Sequence, residues 1–248
     1  MFKLSPLRLR VFRRCKLRYK YQYVDRLPPR PRPQDVVGAL VHATLHDFFA
    51  HVPVHDRDVE RLITILNEKW QALVFRLGSP VEREVWRQRA EAQMRRFAHQ
   101  HDLSLRPLAL EAHYEVPVSD QVTLVGRVDR LDEEPDGGLH LIDYKTGARP
   151  SEVDVDQLCF YAIMLERKLS RPVRRASYFF LGEGDVWSIQ PTRKELDATL
   201  SRALATAESI AAEQDFPAAV GRHCAGCPYL RACAHRDEIA QLRQEEGW

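Results

Sequence analysis

Gly126-Arg127-Val128-Asp129-Arg130-Leu131-Asp132 and, after a short turn, Leu139-His140-Leu141-Ile142-Asp143-Tyr144-Lys145 are the stretches whose reading decides the fold. Each alternates with a period near two, the repeat of a β-strand, and the intervening Glu133 to Gly138 (EEPDGG) supplies turn chemistry. An antiparallel hairpin is therefore predicted. Alternation puts Asp143 and Lys145 on one face of the second strand and Tyr144 on the other. Asp129 falls close to Asp143 across the hairpin. Two carboxylates in a low-dielectric setting repel each other unless a divalent cation neutralises both. Oxygen ligands select Mg²⁺ or Mn²⁺, ions that stabilise the attacking and the leaving oxygen of a phosphoryl displacement. Lys145 would then orient the attacking water. The plainer alternative is a strand-surface ion pair of Asp143 with Lys145, and Asp129 as a turn-flanking acid.

Working outward, residues 108–118 (LALEAHYEVPV) read as a strand that precedes 122–132, so that three strands form a meander. A helix at about 152–169, strands at 173–181 and 185–190, and a helix at 193–213 follow. Upstream, a helix is predicted from Val36 to about Ala50 with Asp35 as N-cap, and two amphipathic helices over 57–77 and 81–100 are divided by Gly78-Ser79-Pro80. Residues 28–34 (PPRPRPQ) read as a stiff extended connector. The order predicts an α/β chain, a mixed sheet flanked by helices in a single domain over 1–248.

The 248 residues are 44% hydrophobic and 29% charged, and no apolar run approaches the length of a membrane span. Charges at every second or third position near the start exclude a secretory signal, so a cytoplasmic protein is expected. The net charge of +2 conceals an asymmetry. Residues 1–33 hold eleven Lys or Arg against one acid, Asp25, a local +10, and the remainder carries −8. Interleaved with Tyr19, Tyr21 and Tyr23, this segment has the composition of a nucleic-acid contact, phosphates on the cations and bases on the rings.

GRVDRLD followed by LIDYKTG (141–147) resembles the core signature of the PD-(D/E)xK nuclease superfamily, in its RecB-like exonuclease branch. The resemblance extends to Gly38-Ala39-Leu40-Val41-His42 and to Gln157-Leu158-Cys159-Phe160-Tyr161. It implies a restriction-endonuclease-like core over 35–215 with a helical insertion at 57–101. It also implies that His42, Asp129 and Asp143 hold Mg²⁺ or Mn²⁺ and that Lys145 assists the water. Gln157 and Tyr161, four apart on one helix face, would point into the same groove. Asp143 stands where many relatives carry Glu, a shorter ligand. Whether Glu111 or His46 joins the site stays open. His42-Ala-Thr-Leu-His46 has the histidine spacing of a zinc-protease helix, but Ala43 replaces the catalytic Glu. The implied activity is metal-dependent hydrolysis of DNA, single strands favoured and from an end, in repair, recombination or CRISPR-type processing. A helicase or a CRISPR integration protein would be the partner. No nucleotide-binding Gly-x-x-x-x-Gly-Lys-[ST] loop is present, so unwinding would need another chain; the alternative is a DNA-binding accessory subunit with a silent site.

Three of five cysteines, Cys224, Cys227 and Cys233, crowd into the C-terminal segment 216–248, an arrangement suited to thiolate ligands. The resemblance, which includes the CRISPR-associated exonucleases, supplies Cys15 as the fourth ligand of a structural 4Fe-4S cluster joining the N- and C-terminal segments. Zinc, with His223 or His235 in place of Cys15, is the competing assignment. Cys159 reads as a core thiol.

Overall fold

The computed structural model describes residues 1–73 and 78–248. Strand β1 (Phe2–Leu4) and helix α1 (Pro6–Arg14) come first, then a short helix α2 (Lys16–Tyr19) that runs into a π-turn at Lys20–Val24. Helices α3 (Pro33–His51), α4 (Val59–Leu73) and α5 (Pro80–Gln100) precede strands β2 (Ala109–Pro117), β3 (Val122–Glu133) and β4 (Leu139–Lys145). Helix α6 (Val155–Leu169), strands β5 (Val173–Phe180) and β6 (Asp185–Ile189), and helices α7 (Arg193–Ala212) and α8 (Arg236–Glu246) complete the order. The part of the expected 57–77 helix beyond Leu73 lies outside the described residues.

The predicted meander forms, β2 against β3 and β3 against β4, both antiparallel, with Arg130 opposite Ile142. β4 pairs with β5 in parallel and β5 with β6 antiparallel, so the sheet is mixed. On the side away from β2, the first residues of β3 take β1 in parallel and the last take β4. β4 is buried on both faces. Leu139 and Leu141 join the core under α1, α6 and α7, whereas Ile142 and Tyr144 join a second core under α3, α4 and α5. Among the described residues no helix is long and apolar enough to cross a membrane.

Three expectations are corrected. Helix α3 starts at Pro33, inside the stretch read as a connector, because proline's fixed φ and missing N–H suit the first helical turn. Its N-cap is Arg32, and Asp35 sits in the first turn, paired with Arg32 at 2.7 Å. The N-terminal segment, read from its charge as a nucleic-acid contact, also builds the core: Leu9, Val11 and Phe12 pack α1 into it. Finally, Tyr19 is not free for bases, and Tyr21 and Tyr23 are half-buried. Tyr19 is 3% exposed against Phe12, Tyr23 and Phe216, and Tyr21 packs near Tyr229.

Candidate active site

Asp129 sits where β3 and β4 part, one step beyond the Arg130–Ile142 pair. Its Oδ2 accepts the Tyr144 backbone N–H at 2.8 Å, so the carboxylate takes over a ladder bond and is held in place. Opposite Asp129 on β2, Glu111 has a left-handed backbone (φ 47°), a conformation that costs a non-glycine residue roughly 1–2 kcal/mol. Both strands change their facing at this step. Tyr114 and Val116 of β2 and Val128 of β3 face the α6 core, yet Leu110 and Arg130 face the α3 core. The kink turns Glu111 and Asp129 toward His42 of α3, whose Nδ1 lies 3.5 Å from Glu111 Oε1 and 3.4 Å from Asp129 Oδ1. Burial lowers the His42 pKa, but hydrogen bonds to Asp129 and Glu111 outweigh it and carry it up to about 10.

Asp143, 5% exposed, lies on the α6 side of β4. Its Oδ1 accepts from Gln157 Nε2 at 2.7 Å. Its Oδ2 pairs with Lys145 Nζ at 2.6 Å. Burial raises its pKa to about 6, the Lys145 charge opposing and the Asp129 charge adding. Lys145 Nζ also lies over the Tyr178 ring, 4.8 Å from its centroid. All these groups line one cleft of about 870 Å³.

The structure thus brings His42, Asp129, Asp143, Lys145 and Gln157 together, and adds Glu111, Tyr178 and Arg10 to the same cleft. Tyr161 differs from expectation: it does not line the cleft. It is 9% exposed behind Gln157, and its ring occupies the space of an absent side chain at Gly126, where a Cβ would meet Tyr161 Cε1 at 2.6 Å. His46 lies at the rim and groups with Asp47 and His51 rather than with His42. The Glu111 position was detectable only as an acid on the strand before the hairpin; the kink that aims it has no signature in EAHYE.

The sequence model of the PD-(D/E)XK nuclease superfamily matches residues 3–234. The chain belongs to this superfamily. A crystal structure of an Eubacterium rectale protein named as a candidate exonuclease superposes at TM-score 0.60 with 12% identity, covering 84% of this chain and 80% of that one. At that identity the likeness concerns the fold. The solved protein SSO0001 aligns at TM-score 0.41 and 14% identity, over 94% of this chain and 86% of that chain. No curated protein matches. PD-(D/E)XK nucleases use divalent metals, and the donor set here fits one: His42, Glu111 and Asp129 offer ligand atoms within 4.8 Å of one another, and the Asp143 carboxylate lines the same cleft.

The four cysteines Cys15, Cys224, Cys227 and Cys233 line one small hollow with Arg18 and His223. His235 lies away from it, bonded to Glu238. The two ends of the chain meet around this hollow, through Leu17 N–H to the Pro217 carbonyl and Arg32 Nη1 to the Gly226 carbonyl. Cys159 is fully buried in the core, as expected, and burial pushes its thiol up to about 11.

Proposed function

We propose that this chain is one nuclease unit of the RecB-like kind over residues 1–248, hydrolysing phosphodiester bonds of DNA, with single strands attacked from an end. The observation that carries the reading is the convergence of His42, Asp129, Asp143 and Lys145 in one cleft. Mg²⁺ or Mn²⁺ would be held by His42, Asp129 and Asp143, with Glu111 as a further ligand. Such an ion, when bound, supplies Lewis-acid polarisation of the phosphodiester and neutralises the paired acids. Lys145 orients the attacking water and offsets charge that builds on the phosphate oxygens. Gln157 fixes the Asp143 carboxylate from α6, and Tyr161 supports Gln157 from behind instead of touching DNA.

The cysteine quartet is proposed to hold a structural 4Fe-4S cluster in a reducing cytoplasm. Support comes from the four cysteines lining one hollow and from two orphaned groups beside them. Arg18 Nε and His223 Nε2, both buried without a partner, line the same hollow and suit an anionic group. Repair, recombination or spacer processing beside a helicase or an integration protein is the setting inferred from the resemblance.

The test is Mn²⁺-dependent degradation of end-labelled linear single-stranded DNA beside a closed single-stranded circle. Loss of the linear strand with the circle intact is expected. Cutting of the circle would make the enzyme an endonuclease, and binding without cutting, the same in Asp143→Ala, would make it an accessory subunit.

A further inference from the structure

Most cations of the N-terminal segment are already engaged within the protein. Lys3 pairs with Glu115, Lys16 with Glu213, Lys20 with Asp25 and Arg32 with Asp35. Arg8 stacks over the rings of Phe2 and Tyr23, and Arg13 bonds Asp156 and Thr206. Arg10, Arg14, Arg26 and Arg30 are different: all four are exposed, and among the described residues none of their guanidinium groups makes an ion pair or a hydrogen bond, but only Arg10 and Arg14 lie on α1.

Their location gives this freedom a meaning. Arg10 lines the active-site cleft beside Gln157, and the same Arg10 and Gln157 line a neighbouring hollow that continues to Arg14. The two cavities therefore join at Arg10. Four residues apart, Arg10 and Arg14 share one helix face and are separated by about 6 Å along the axis. Of the acids of the second hollow, Asp156 is taken by Arg13 and Arg202, whereas Asp154, which caps α6 by accepting the Gln157 N–H, keeps its charge and offsets part of the pair's field.

We propose that Arg10 and Arg14 grip successive phosphates of a single strand, which runs from the cleft past Gln157 along the exposed face of α1. The track rests on the nuclease reading of the cleft, and it replaces the expectation of a broad basic strip with two specific contacts. The track does not call on tyrosine stacking, since Tyr19 is buried and Tyr23 packs under Arg8.

The experiment is fluorescence anisotropy of labelled oligothymidine with Ca²⁺ in place of Mn²⁺, across a series of KCl concentrations. Each phosphate neutralised on a single strand contributes a slope of about 0.7 to the fall of log affinity with log salt. Arg10→Ala and Arg14→Ala should each reduce the slope by about that amount, and the double variant by about twice as much. Arg10→Lys should retain the slope, and Arg13→Ala, whose guanidinium is already occupied, should leave it as in wild type. Thermal melts of Arg10→Ala should match wild type, since no internal partner is lost. A wild-type slope in the double variant, in an enzyme that cuts with Mn²⁺, overturns the track alone. Reduced slopes in a protein that never cuts uphold the track and overturn the nuclease reading; wild type that does not bind the strand overturns both.

Discussion

Asp143→Asn should stabilise the metal-free protein while ending its activity. Asp143 is buried, and burial carries its pKa from the ordinary 3.8 up to about 6, Lys145 opposing and Asp129 adding. A rise of about two units corresponds to about 3 kcal/mol between the protonation states. Because the folded pKa is the higher one, the fold prefers the protonated acid. The penalty is absent below pH 3.8, grows as pH rises, and is complete above about pH 6. Asparagine keeps an Oδ1 to accept from Gln157 and discards the charge, and Lys145, with a side chain one-third exposed, remains hydrated. In EDTA at pH 8 the variant should be more stable by about 2–3 kcal/mol, which for a chain of this size is roughly 4–12 °C in Tm. At pH 4.5 the gain should fall to about 1 kcal/mol. Mn²⁺ should reverse the order at pH 8, because only the wild type has the full ligand set to gain from binding. Scanning calorimetry at the two pH values decides it. A variant that melts at or below wild type in EDTA at pH 8 would refute the claim that the site stores carboxylate repulsion.

Other outcomes follow from the same geometry. Lys145→Ala should lower the single-turnover cleavage rate by about 10²–10⁴ while DNA affinity changes little, as quench-flow and anisotropy would report. Gly126→Ala would force a Cβ to 2.6 Å from Tyr161 Cε1 and should cost about 1–3 kcal/mol in urea unfolding, through overpacking behind Gln157. Cys227→Ser should lose any absorbance from thiolate-to-iron charge transfer and lower the melting temperature; iron-free, colourless wild type from anaerobic preparation would refute the cluster.

The hairpin and its acids were legible in the sequence because alternation, turn residues and burial agree there: β3 and β4 end within a residue of where periodicity puts them. Gln157 was reached through the resemblance of Gln157-Leu158-Cys159-Phe160-Tyr161 to the family's motif. Tyr161, four residues on, shares its helix face but not its destination, because a glycine on β3 leaves a slot that the ring fills. Glu111 stayed open since its aim depends on a positive φ at a non-glycine residue, a tertiary effect without a local signal. Helix α1 was hidden by composition: its arginines drew attention to charge, although Leu9 and Phe12 already have helical spacing toward the core. Which of those arginines remain free is a matter of partners such as Asp156 and Thr206 for Arg13, well over a hundred residues away in the chain.

The central claim is that the acids beside His42 hold the ion that makes cleavage possible. Mn²⁺ occupancy by electron paramagnetic resonance and cleavage of end-labelled single-stranded DNA, followed together through one Mn²⁺ titration of wild type and Asp129→Ala, test it most directly. Occupancy and rate should rise together in wild type, with Asp129→Ala losing both while still binding DNA. Cleavage in EDTA, or cleavage retained by Asp129→Ala, would contradict the account.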